Sequence, residues 1–173
     1  MAREHREKHK AYLDAHIRDA NGEYHYVGDW YAVQGGPRAL IPFAVWSAMT
    51  TAAVIAAGCV DFPGMRNTAY VILPYLLCVC ALFALLWNGV RLVSGGGRLK
   101  AFVRDKVKDS FRQICVLLAL AAGLTAVLGA VYLLTHGAEH IGASAAFFAL
   151  LAAAAVSAMM ARRAYLRQIW EKA

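Results

Sequence analysis

The stretch AYVILPYLLCVCALFALLWNGVRLV, Ala69 to Val93, carries no charge until Arg91. A helix of this length rises about 37 Å at 1.5 Å per residue, more than the roughly 30 Å of a bilayer's hydrocarbon core. The run shows neither a polar face nor the alternation of a barrel strand, so it reads as a transmembrane helix. Three further stretches share this character, and together they set four spans at about 39–60, 69–93, 114–135 and 142–161.

Composition agrees. Of 173 residues, 60% are hydrophobic and 17% are charged, and the mean hydropathy is +0.47. A soluble domain carries about a quarter charged residues. Here the charges are swept into the segments between the spans. The expected fold is an all-α integral membrane protein: a four-transmembrane-helix bundle (39–161) between a polar segment (1–38) and a basic tail (162–173). The first 38 residues contain no apolar core of signal-peptide type, so no cleaved leader is expected in them.

Lys and Arg orient the bundle. Residues 1–38 hold six, the link 94–113 holds six more, Arg91 ends span two, and the tail adds Arg162, Arg163, Arg167 and Lys172. Arg66 alone lies on the other side, so the split is 17 to 1. The positive-inside rule then places both termini and the link in the cytoplasm, and the expected location is the plasma (inner) membrane. The net charge of +7 reflects this topology and anionic headgroups, with no nucleic-acid partner implied.

Outside the spans, residues 3–20 read as a short cytoplasmic helix ended by Asn21-Gly22. Tyr24, Tyr26, Trp30 and Tyr31 flank Gly28-Asp29, which predicts a β-hairpin pairing Val27 with Trp30 and Tyr26 with Tyr31. Such a hairpin serves either as an interfacial anchor or as a docking element for a protein. In the link, Leu99, Phe102, Val103, Val107, Phe111 and Ile114 recur at helical spacing. This predicts an amphipathic cytoplasmic helix lying in the headgroup region, hinged by Gly95-Gly96-Gly97, with Arg98, Lys100, Arg104 and Lys108 toward anionic lipid. Trp30 and Tyr31 join these as lipid or partner contacts.

No charge lies deep in spans one, three or four, where an ion-coupled carrier keeps its coupling group. The interior polar residues are Ser47, Thr50, Thr51, Asn88, Thr125 and Ser157, mostly hydroxyls able to bond back to their own helices. Cys59, Cys78, Cys80 and Cys115 form no CxxC and read as small packing residues. Small residues instead form ladders: Ala44, Ala48, Ala52 and Ala56; Ala122, Ala126 and Ala130; Ala145, Ala149, Ala153 and Ser157. Such ladders let helix backbones approach closely, within a bundle or between subunits. A shift of 74 residues sets Arg38 over Arg112 and Ala52 over Ala126, the pattern an internal duplication would leave, although alanine-rich helices also align by chance.

Two clusters stand as candidate sites. Asn88 and Arg91, one turn apart near Trp87, are the candidate pathway or lipid-phosphate pair, with snorkelling of Arg91 as the alternative. His136 and His140 are spaced as metal ligands would be on a helix, but Gly137 and the loop setting favour a solvated loop. No metal, cofactor or catalytic set is expected, since no nucleophile–base pair or paired carboxylates occur. The layout is that of a small bacterial multipass protein, without the diagnostic motifs of four-span exporters, fluoride channels or disulfide oxidases. The expected role is a non-enzymatic subunit or accessory of a membrane assembly, paired with its own copies or with another membrane protein. The alternative is a small oligomeric transporter or channel.

Overall fold

The computed structural model describes residues 16–18, 24–26, 28–94, 98–137 and 141–172. Five helices are defined: α1 Ile41–Cys59, the short α2 Pro63–Asn67, α3 Ala69–Ser94, α4 Ala101–His136 and α5 Ile141–Leu166. Four of them (α1, α3, α4 and α5) are long and apolar enough to cross a membrane, so the multipass membrane bundle stands. Five short strands accompany them: β1 His16–Arg18, β2 Tyr24–Tyr26, β3 Trp30–Val33, β4 Arg98–Lys100 and β5 Trp170–Lys172. The molecule is therefore not all-α at its edge.

The four long helices form an antiparallel ring. α1 packs most heavily on α5, α3 on α4, and α4 on α5, while α1 and α3 meet along a slighter seam. Two apolar cores fill the ring, one toward each end. Near the connections α1–α3 and α4–α5, Phe62 stacks on Phe147 (centroids 4.6 Å apart, planes 10°) and meets Tyr132 edge-on at 5.9 Å. Phe62 is almost fully buried, and α2 carries the chain across this turn end. At the other end, Phe43 of α1, Phe111 of α4 and Tyr165 of α5 form a triangle of rings, with centroids 4.9, 5.9 and 4.8 Å apart.

Polar groups between the cores tie helices together. Thr50 of α1 and Ser157 of α5 share a hydroxyl–hydroxyl bond of 2.9 Å, and the Tyr75 hydroxyl of α3 donates to the Val54 carbonyl of α1 at 2.8 Å. Gly58 makes room for Tyr75, because a β-carbon there would collide with the phenol oxygen. Pro42 sits in the first turn of α1, where its missing N–H costs nothing, whereas Pro74 lies inside α3.

Three expectations need correction. The described part of the expected N-terminal helix, His16–Arg18, is a strand, antiparallel to β2 with His16 opposite Tyr26; the rest of that segment, 3–15 and 19–20, lies outside the described residues. The hairpin across Gly28-Asp29 does not form, because Tyr26 pairs with His16 while Tyr31 lies between Leu99 of β4 and Lys172 of β5. Asn21-Gly22, read above as a helix stop, lies outside the described residues. The amphipathic link is not a separate surface helix either. From Ala101 the helix runs unbroken into span three, 36 residues and about 54 Å long. No Gly or Pro interrupts it before Gly123, and its stripe buries against protein: Leu99, Val107 and Phe111 are 5%, 2% and 1% exposed. The glycines at 95–97 lie outside the described residues.

The small-residue ladders divide: Ala122 and Ala126 of α4 pack in the bundle core, and Ser157 is buried against Thr50, while most of the ladders on α1 and α5 fall outside the seam. On α5 the buried face is Ser144, Phe147, Leu151, Ala154, Ser157 and Ala158. Ala145, Ala149 and Ala153 face outward with Gly142, Ala146 and Ala152. On α1, Ala44, Ala48 and Ala52 are likewise exposed while Phe43, Thr50 and Val54 point in.

Gly58→Ala is expected to lower bundle stability by about 1–3 kcal/mol, the usual cost of overpacking. Tyr75→Phe in the same chain should recover part of that loss by removing the colliding oxygen. Steric-trap unfolding of the two variants and the double variant measures the coupling.

Candidate functional site

The end of the bundle opposite α2 gathers most of the molecule's unusual side chains. There β3 is the centre of a three-stranded antiparallel sheet in the order β4-β3-β5. Its strands come from before α1, between α3 and α4, and after α5. Gly35 and Gly36, both at positive φ (85° and 69°), turn the chain out of β3 into a 3-10 turn, Gly36–Leu40, that leads into α1. Alternation sets the two faces of the sheet. Val33, Leu99 and Trp170 pack into the core beneath it, around the Phe43–Phe111–Tyr165 triangle.

The sequence-predicted contact residues divide between this sheet and the first turns of α4. Trp30 stands opposite Lys100 in the β3–β4 register, 41% exposed, with the Lys100 ammonium 5.8 Å from its ring centroid. The Arg104 guanidinium lies 3.8 Å from the Tyr31 ring centroid, a close cation–π contact. Arg98 pairs with Ala32 in the ladder, and Lys108 is exposed on α4. Trp30 and Lys100 thus share one face of the sheet, whereas Tyr31 lies on the other, the face of Val33 and Leu99, where Arg104 meets it; Lys108 lies farther along α4.

The sheet is pinned by polar contacts at both edges. Lys172 Nζ lies 2.7 Å from Asp29 Oδ1, and the Ala101 amide donates to the Asp29 carbonyl at 3.1 Å. Gln34 Nε2 donates to Glu171 Oε1 at 2.9 Å. Asp29 therefore serves both flanking strands at once, a role that sequence reasoning assigned to a turn. Its hydrogen bond and its charge raise the Lys172 pKa above the ordinary 10.5.

Asn88 and Arg91 border a cavity of about 500 Å³ between α3 and α4, together with Trp87, Lys106 and Ser110. Asn88 Nδ2 donates to the Ala84 carbonyl of its own helix at 2.9 Å, and the Arg91 guanidinium sits 5.1 Å from the Trp87 centroid. The pair is thus brought together with a second cation that sequence spacing did not reveal. His136 ends α4, stacked on Tyr132 at 4.6 Å with a ring nitrogen 2.8 Å from Thr135 Oγ1. His140 lies outside the described residues, and no group of three metal-ligating side chains occurs among the described ones.

No protein-family model, curated protein or solved structure matches the chain.

A raised lysine pKa gives the Lys172–Asp29 contact a definite pH window. Its contribution is full below 10.5 and is lost as pH rises through the higher folded value. A fluorine label on Trp170 should report release of β5 in that range. In Asp29→Asn that titration is expected to vanish, with β5 less docked at every pH.

Proposed function

We propose that this chain is a non-enzymatic subunit or accessory of a membrane assembly, held in a bacterial plasma (inner) membrane with both termini cytoplasmic. The observation that carries this reading is the contrast between outward faces. α3 shows lipid Leu73, Leu76, Leu77, Phe83 and Trp87, all large and exposed. α5 shows it Gly142, Ala145, Ala146, Ala149, Ala152 and Ala153. A bulky face gains contact with acyl chains as readily as with protein. A smooth face of small residues gains most when another helix backbone comes close, through dispersion that disordered tails match poorly. The outer face of α5 is therefore the proposed contact with a second copy or with another membrane protein.

The Trp30–Lys100 pair on the outward face of the sheet supports the same role at the cytoplasmic surface. Trp30 offers a rigid, half-exposed ring beside Lys100, the composition of a contact surface for protein or for anionic headgroups. The 17-to-1 distribution of basic residues supports the orientation and argues for lipid, not nucleic acid, as the polyanion these residues meet. The alternative, a small oligomeric transporter or channel, has less behind it. Of the candidate pathway pair, Asn88 donates to the Ala84 carbonyl of its own helix, and the interior hydroxyl of Thr51 is likewise engaged by the Ser47 carbonyl.

Two measurements test the reading. In mild detergent the wild type is expected to migrate above monomer size or with a bound protein, and Ala149→Leu to reduce that species about tenfold. Leu77→Ala on α3 should leave it unchanged. A wild type that runs only as a lone monomer would overturn the proposal. For orientation, Arg66→Cys in a Cys59→Ser chain should react with an impermeant maleimide on intact cells, and Lys172→Cys should react only after lysis.

A further inference from the structure

A second cavity at the sheet end, about 550 Å³, opens between α1 and α5 and is lined by Pro42, Trp46, Met160, Arg163, Arg167 and Gln168, among others. Arg163 is in the last turn of α5 and Arg167 follows its end, its amide donating to the Arg163 carbonyl at 3.1 Å, so the two residues are one turn apart on the cavity wall. Both are exposed, and neither has an ion pair among the described residues. Glu171, the nearby acidic residue of β5, accepts its bond from Gln34 and does not line the cavity. Two guanidiniums on one wall, with no carboxylate between them among the described residues, offer a fork for a phosphate.

Position narrows the ligand. Arg163 lies 22 residues after Ile141, the start of α5, hence about 33 Å along the helix, at the boundary of a roughly 30 Å hydrocarbon core. Below it, Trp46 and Met160 belong to the membrane-spanning parts of α1 and α5. The cavity is thus cationic at headgroup depth and apolar at the depth of the first acyl methylenes. Trp46 sits where aromatic residues favour the interface. Gln168 adds a polar requirement. Its Nε2 donates to the Ala39 carbonyl at 3.4 Å, while its Oε1 is buried without a protein partner. An acceptor at that place calls for a donor from the ligand.

We infer that this cavity binds an anionic phospholipid whose headgroup bears a hydroxyl, of the phosphatidylglycerol type. Its phosphodiester lies between Arg163 and Arg167, its hydroxyl donates to Gln168, and one acyl chain runs over Met160 and Trp46. This site is separate from the basic residues of the sheet and of α4, and it does not depend on what α5 contacts.

The test uses the full chain, delipidated in detergent, with binding read by native mass spectrometry against added phosphatidylglycerol, phosphatidic acid, phosphatidylcholine and inorganic phosphate. Wild type is expected to prefer phosphatidylglycerol over phosphatidylcholine by tenfold or more. Arg163→Gln with Arg167→Gln should remove that preference, while Arg66→Gln, at the opposite end of the bundle, should keep it. Gln168→Leu should narrow the margin of phosphatidylglycerol over phosphatidic acid. Both arginines are exposed and have no ion pair among the described residues, and unchanged circular dichroism and elution volume establish that the double variant is folded. Equal binding of phosphatidylcholine, or undiminished phosphatidylglycerol binding by the folded double variant, overturns the inference. Complete competition by millimolar inorganic phosphate also overturns it, by assigning the arginines to a free anion.

Discussion

The ring triangle of Phe43, Phe111 and Tyr165 is the contact on which the sheet end depends. It joins α1, α4 and α5, three helices that would otherwise meet there through alanine and slender aliphatic side chains. Aromatic pairs of this geometry contribute about 0.5–1.5 kcal/mol each beyond the area they bury. The triangle's larger effect is spatial. It provides the floor on which Val33 and Leu99 rest, and so sets the height of the sheet above the bundle. With the sheet fixed there, Tyr31 meets Arg104 and Trp30 meets Lys100. Without that floor, strands of three or four residues could not hold their place, since isolated short ladders are marginal.

The remainder of the molecule divides its labour by side-chain size. Large rings close both ends, at Phe62 with Phe147 and at the triangle. Between them the helices approach through Ala, Ser and Thr; Thr50 and Ser157 bond to carbonyls of their own helices and to each other across α1 and α5, while the buried hydroxyls of Ser47 and Ser144 have no partner among the described residues. Every such bond keeps a polar group from facing hydrocarbon unpaired. Among the described residues the buried polar side chains of the interior are hydroxyls only, Ser47, Thr50, Thr125, Ser144 and Ser157, so the outer face of α5 and the basic end draw the functional reading.

The spans were legible because lipid imposes one demand on length and hydropathy, and Ala69–Val93 meets it almost without a polar residue. What lay outside that demand was read less well. Val103, Val107 and Phe111 do form an apolar stripe, but periodicity alone cannot say whether such a stripe meets a bilayer or Leu92 and Tyr165. Arg98–Lys100 and Trp170–Lys172 are too short for alternation to register as strands, and their paired residues in β3 lie 66 to 141 positions away. Asp29 was read as a turn residue because its two partners, Ala101 and Lys172, are far along the chain. The spacing of Arg163 and Arg167 was visible, yet the cavity that gives it meaning exists only once α1 packs against α5. The alanine ladders were found, and only the three-dimensional placement of Phe147 and Leu151 revealed that those on α5 point away from the core.

The sheet has one more consequence, which concerns counting. β3 precedes the first crossing, β4 follows the second and β5 follows the fourth, so the three strands share a side only when each intervening stretch has crossed the membrane an even number of times. A chain in which one span slipped out of the bilayer, or a hairpin inserted upside down, would strand β3 from at least one neighbour. Val33, Leu99 and Trp170 would then be left without cover. A correctly threaded molecule hides them. The sheet thus records, in a form that quality-control proteases and chaperones can sense as exposed apolar surface, whether all four helices went in with the right parity.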